Sequence, residues 1–173
     1  MNCFIGIDIG STTVKIVVLD EKSNILYKHY GRHYAQVREN TMQLLKGLGD
    51  LLEGNRLKVA ITGSAGLGLS RDARLEFVQE VFSARIAVES FQENVDVVIE
   101  LGGEDAKILF LTGGMEERMN GSCAGGTGAF IDQMASLLNV SLEELDKLSA
   151  GHQKIYNIAS RCGVFAKSDI QPL

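Results

Sequence analysis

The 173-residue sequence predicts an α/β fold built as two related lobes, and three observations lead there. Runs rich in β-branched residues stop at glycine-containing turns and then resume, as strands joined by tight turns do. Elsewhere apolar residues recur at helical spacing, as Met42, Leu45, Leu48 and Leu52 do. Finally, residues 5 to 20 lie over residues 97 to 112 with an acid, a glycine two positions on and a lysine seven positions on in both copies. The offset is too long for a solenoid unit, so duplicated halves are the better reading.

Taken in order, Ile5 to Leu19 forms the first hairpin, turning at Gly10. Arg38 to Glu53 is predicted to be one amphipathic helix whose apolar stripe is plain core. Leu57 to Thr62 reads as a strand running into the turn Gly63-Ser64-Ala65-Gly66, and Phe77 to Phe91 as a further helix. The lobe boundary is expected between Gln92 and Asp96, giving lobes 1–94 and 95–173. Val97 to Leu111 is the second hairpin. An amphipathic helix follows the small residues after Cys123, and Ser141 with Glu144 forms a capping box for a short helix through Leu148.

Composition narrows the function. With 45% apolar residues, 23% charged residues and one proline, the chain buries one ordinary core or two small ones. A net charge of -5 and a pI near 5.2 argue against the basic surface that non-specific nucleic-acid binding requires. No basic-then-apolar leader opens the sequence, and runs such as Ile16-Val17-Val18-Leu19 are far too short to cross a bilayer, so a cytoplasmic protein without membrane contact is expected. Three cysteines, an odd number, point to reduced thiols, metal ligands or a reactive group rather than a disulfide framework.

The two acid-x-glycine turns carry the clearest chemistry. In the first, the N–H groups of Gly10, Ser11, Thr12 and Thr13 are placed to face a phosphate, with hydroxyls and the charge of Lys15 beside them. In the second, Gly102 and Gly103 allow equally close backbone approach. Either turn alone reads equally as a tight hairpin connection, whereas the matched pair points to a polyphosphate held from two sides. Asp8, Glu100 and Asp105 suit Mg2+ held through water, since that ion takes oxygen ligands and keeps several waters. No Walker A or Gly-x-Gly-x-x-Gly sequence is present.

Asp8-Ile-Gly-Ser-Thr-Thr-Val-Lys15 and Glu100-Leu-Gly-Gly-Glu-Asp-Ala-Lys107 resemble the two phosphate motifs of the actin, sugar kinase and acetate kinase superfamily. Within it, Asn120-Gly-Ser-Cys-Ala-Gly-Gly-Thr-Gly-Ala-Phe130 and Ile158-Ala-Ser-Arg-Cys-Gly-Val-Phe-Ala-Lys-Ser-Asp169 resemble the activator ATPases of 2-hydroxyacyl-CoA dehydratases and benzoyl-CoA reductases. The resemblance implies an actin-like, ribonuclease H-like ATPase fold with mixed sheets, its second lobe incomplete at Leu173. It implies ATP and Mg2+, a catalytic set of Asp8, Glu100, Glu104 and Asp105, and cofactor contacts from Gly10, Ser11, Thr12, Thr13, Lys15, Gly102, Gly103, Lys107, Gly125, Gly126 and Thr127. It also implies that Cys123 and Cys162 hold half of a 4Fe-4S cluster bridging two identical subunits. The chemistry agrees with that implication, because such a cluster usually takes four thiolates and one chain offers two suitable ones. A helix N-terminus after Cys123 and Arg161 beside Cys162 both favour negative sulfur. Without the resemblance, a buried inert cysteine is the simpler reading at either position, and Cys3 reads as core.

The implied mechanism is an ATP-driven electron switch. A reduced ferredoxin or flavodoxin loads the electron, and the homodimer delivers it to a dehydratase or reductase component. Nucleotide drives this only if its binding energy differs between two conformations. The spellings Glu-Leu-Gly-Gly-Glu-Asp and Ile-Thr-Gly-Ser-Ala-Gly are most similar to activator segments that open large fused proteins of the family. Three departures stand out. Glu104 occupies a position where the family commonly has glutamine, adding negative charge near the expected γ-phosphate. Glu80-Val-Phe-Ser-Ala84 lacks a histidine that many single-domain activators carry. The later glycine-rich adenosine motif is absent, so weak or no ATP binding by this chain alone is expected. His29, His33 and His152 match no motif and are expected to be structural or solvated, and Asp132 to cap or face solvent. A cluster-free phosphotransferase and a nucleotide-sensing assembly module of the same superfamily are the rival readings.

Overall fold

The structure, a computed structural model, describes residues 1–114, 116–120, 123 and 125–172. It divides into two compact units, Met1–Val95 and Asp96–Leu173.

The first unit is built on a five-stranded sheet in the order β3-β2-β1-β4-β5. Strands β1 (Asn2–Ile9), β2 (Thr13–Leu19) and β3 (Ile25–Arg32) run antiparallel to their neighbours, while β4 (Arg56–Thr62) and β5 (Glu76–Phe77) add in parallel. The strand pleat puts alternate residues on opposite faces. Cys3, Ile5, Ile7 and Ile9 of β1 are therefore buried with Val14, Ile16 and Val18 of β2 and Ile61 of β4. Leu44 and Leu45 of α1 (Val37–Gly47) and Leu51 and Leu52 of α2 (Gly49–Leu52) pack against them. The single helix expected over 38–53 is broken at Leu48. This residue lies between Gly47 and Gly49, the weakest helix formers apart from proline, and its burial in the core at 4% exposure holds the break. Two further helices, α3 (Gly66–Ala73) and α4 (Glu80–Phe91), complete the unit. Helix α4 starts three residues later than the periodicity suggests, because Phe77 pairs with Ile61 as part of β5.

The second unit has a three-stranded antiparallel sheet of β6 (Val97–Leu101), β7 (Ala106–Phe110) and β8 (Glu116–Met119) in that order. Helices α5 (Gly128–Leu138), α6 (Leu142–Ala150) and α7 (Gly163–Ile170) follow. The Thr127 side chain caps α5 by accepting the Phe130 N–H, and Ser141 caps α6 by accepting the Glu144 N–H at 3.2 Å. Cys162 is the N-terminal flanking residue of α7. Gly121, Ser122 and Ala124 of the first cysteine motif lie outside the described residues.

Candidate functional site

The first acid-x-glycine turn joins β1 to β2. It closes with the Gly10 N–H donating to the Thr13 carbonyl at 3.0 Å, so this amide is used within the turn. The Ser11 and Thr12 amides make no hydrogen bond among the described residues. Asp8 and Lys15 face each other across the hairpin, with Lys15 Nζ 2.6 Å from Asp8 Oδ2. The other carboxylate oxygen, Oδ1, is buried with no hydrogen-bond partner among the described residues, as is Thr62 Oγ1, from the residue aligned with Asp8 on the parallel strand β4. Buried polar atoms are nearly always paired, so two orphaned oxygens at neighbouring strand ends mark a place prepared for a polar guest. Gly63, next in the chain, has φ +96°, and a Cβ there would fall 2.2 Å from the Ile9 carbonyl oxygen and 2.6 Å from Asp8 Oδ1. Only glycine fits this crossing.

The second turn repeats the first. Gly102 N–H donates to the Asp105 carbonyl at 2.8 Å, Glu100 faces Lys107 across the hairpin, and the Gly103 and Glu104 amides make no hydrogen bond among the described residues. Lys107 is buried, with Nζ 3.4 Å from Asp105 Oδ2. The Gly128 N–H at the start of α5 donates to the Gly102 carbonyl at 2.7 Å. Thr127, fully buried, locks that start in place.

Cys123 and Cys162, distant in sequence, line one cavity of about 520 Å3 together with Gly125, Gly126 and Arg161. Cys123 is exposed and Cys162 partly so. The backbones of Gly125 and Gly163 abut: a Cβ on Gly125 would meet the Gly163 nitrogen at 3.1 Å, and one on Gly163 the Gly125 Cα at 3.2 Å. Close approach lets the Gly125 N–H, and after it the Gly163 N–H, donate to Cys123 Sγ, which holds this thiol below the usual cysteine range. Asn120, whose role no sequence pattern announces, closes the loop by donating through Nδ2 to the Cys123 and Gly125 carbonyls at 3.1 and 3.2 Å. Asp169 accepts the Ala159 N–H at 2.9 Å and so ties the stretch before Cys162 to α7. Cys3 is buried in the first unit's core. Among the described residues no group of three or more His, Cys, Asp or Glu is placed to hold a metal, so this cavity offers two thiols.

Residues 5–172 match the BadF/BadG/BcrA/BcrD ATPase family. The chain belongs to that family. It is 31% identical over 173 residues to the (R)-2-hydroxyglutaryl-CoA dehydratase activating ATPase of Acidaminococcus fermentans, covering 96% of this chain and 65% of that relative. Among solved structures, it superimposes on the activator of the 2-hydroxyisocaproyl-CoA dehydratase from Clostridium difficile with bound ADPNP, with a TM-score of 0.81 and 31% identity over 96% of this chain and 63% of that one. Component A of the Acidaminococcus fermentans (R)-2-hydroxyglutaryl-CoA dehydratase gives a TM-score of 0.77 and 28% identity over 98% of this chain and 66% of that one. The α/β fold is the actin-like ATPase fold of these BadF/BadG/BcrA/BcrD relatives. The chain spans slightly under two thirds of their length. Among the described residues, no helix is long and apolar enough to cross a membrane.

Proposed function

We propose that this chain is the activating segment of an ATP-driven, cytoplasmic electron-transfer protein. Its target is a 2-hydroxyacyl-CoA dehydratase or benzoyl-CoA reductase-type component, and ferredoxin or flavodoxin is the electron source. The observation that carries this reading is the convergence of Cys123 and Cys162 on one cavity, in a chain of this ATPase family. The residues there fit a 4Fe-4S cluster, which supplies one-electron transfer when bound. Two thiols are half of the usual four, so a second copy of the chain completes the set. Gly125 and Gly163 keep the cysteine segments in contact and donate N–H groups to Cys123 Sγ. Arg161 on the cavity wall adds positive charge beside the thiols.

The two glycine turns fit ATP and Mg2+. The Ser11, Thr12, Gly103 and Glu104 amides serve phosphate oxygens, and Lys15 and Lys107 offset their charge. Gly10 and Gly102 close the turns and let the chain approach. Thr13 starts β2 behind the first turn. Asp8 Oδ1 in the first unit and, separately, the carboxylates of Glu100, Glu104 and Asp105 in the second are oxygen acceptors of the kind Mg2+ and its waters take. The bond from Gly128 N–H to Gly102 O links the second turn to Thr127 and α5, just beyond Gly126 and the Cys123 loop. Nucleotide that binds one arrangement of that turn more tightly therefore biases the thiol loop.

Iron and acid-labile sulfide after anaerobic reconstitution test this reading, on wild type, Cys123→Ser and Cys162→Ser, with the mass measured in parallel. About four irons per dimer in wild type, lost in either variant, are expected. Wild type that stays iron-free and monomeric overturns it.

A further inference from the structure

His33 matches no motif, yet it is buried at 4% exposure and uses both ring nitrogens. Nδ1 accepts the Ala35 N–H at 3.1 Å, and Nε2 lies 3.0 Å from the Gly10 carbonyl oxygen. The first contact assigns the tautomer: Nδ1 is the acceptor, so Nε2 carries the proton and donates to Gly10. The backbone of His33 repeats the connection, since its N–H donates to the Thr12 carbonyl at 3.2 Å. Its own carbonyl accepts the Gln36 N–H at 2.8 Å and Asn40 Nδ2 at 3.0 Å, which anchors it to the start of α1.

The following residues, Tyr34 and Ala35, have φ of 48° and 61°. A left-handed pair without glycine is strained, and such conformations persist only where their surroundings over-determine them, most often at functional sites. Here the ring of His33 is one of those restraints, through the Ala35 N–H. A trans peptide points its carbonyl and its N–H in opposite directions. Holding the Gly10 carbonyl therefore aims the Ser11 N–H, which belongs to the same peptide unit, away from the His33 ring.

We propose that His33 is a positioning residue of the first phosphate turn, fixing the Gly10–Ser11 peptide so that the Ser11 amide stands ready for a phosphate oxygen. The proposal rests on the nucleotide reading of that turn. Three substitutions separate its parts. Glutamine keeps an N–H donor about as far out as Nε2, asparagine reaches only as far as Nδ1, and alanine keeps neither.

The experiment is ADPNP titration by calorimetry on the full chain, with amide hydrogen exchange in the absence of nucleotide. His33→Ala and His33→Asn are expected to weaken ADPNP binding about tenfold or more, and His33→Gln by no more than about threefold. Exchange at the Gly10 and His33 amides is expected to speed up in His33→Ala and to return towards wild type in His33→Gln. If all variants bind ADPNP within about twofold of wild type, or if His33→Gln falls as far as His33→Asn, the proposal is overturned. Should His33→Ala fail to fold, the contrast between glutamine and asparagine decides. If wild type itself does not bind ADPNP, the nucleotide reading fails, and the exchange measurement judges His33 on its own. Unchanged protection at Gly10 in the variants then rejects its role.

Discussion

In the first hairpin Lys15 stands 2.6 Å from Asp8, with 37% and 31% of the two side chains exposed, whereas in the second Lys107 is buried and sits 3.4 Å from Asp105. The backbones hardly differ. Each acid faces its lysine in the same register, and each turn closes on one bond from its glycine, at 3.0 and 2.8 Å. What differs is the chemistry of the turn and its tether. The first turn carries Ser11, Thr12 and Thr13 and is held by His33; the second carries Gly103, Glu104 and Asp105 and is held by Gly128 of α5. A repeated backbone has thus taken two roles. One turn is fastened within its own unit, while the other is one hydrogen bond from the helix that follows the Cys123 loop.

The sharpest way to probe this division is to neutralise the acids one at a time. On the nucleotide reading proposed above, Asp8→Asn and Glu100→Gln each remove a charged acceptor for Mg2+ and lower ATP hydrolysis, followed as phosphate release, by roughly 100-fold. Retention of iron in both variants separates this loss from damage to the thiol cavity. An intermediate effect is expected from the turn glycines. A Cβ on Gly102 would lie 2.4 Å from Asp105 Oδ1 and 3.1 Å from its carbonyl oxygen, while one on Gly10 meets nothing nearer than 3.8 Å. Gly102→Ala should therefore cost about 2–3 kcal/mol in urea unfolding, and Gly10→Ala less than about 0.5 kcal/mol. Equal costs would break the comparison. The smallest contrast is between the lysines. Lys107→Ala should cost about 1–2 kcal/mol through lost packing of its buried stem and a lost ion pair, and Lys15→Ala below about 1 kcal/mol, as exposed pairs do.

Much of this architecture was legible from the chain. Both hairpins, the strand at 57–62, the Ser141 cap and the helix after the first cysteine motif have local signals and form. Strand β3 carries no clear local signal, because it mixes His, Lys and Arg with apolar residues along one edge of the sheet. Strand β8 is largely charged, and α3 and α7 are only eight residues long, too short for a clear period. At the site, the glycines and acids of the two turns announced themselves through repetition. His33, Thr62 and Asn120 did not: His33 and Asn120 act through hydrogen bonds that no spacing rule describes, and Thr62 stands out only by a buried oxygen left without a partner among the described residues.

The sequence by itself determined the two turns, because the bond that closes each spans four residues and depends only on glycine, strand propensity and the residues between them. It also determined which thiols were candidates, through motifs rather than spacing. Only the tertiary structure decided that Cys123 and Cys162 share one cavity, that Gly63 crosses β1 where no side chain fits, and that a buried histidine grips the first turn. Each of these joins segments far apart along the chain, and such contacts exist only after the packing of whole elements has brought the backbones within reach.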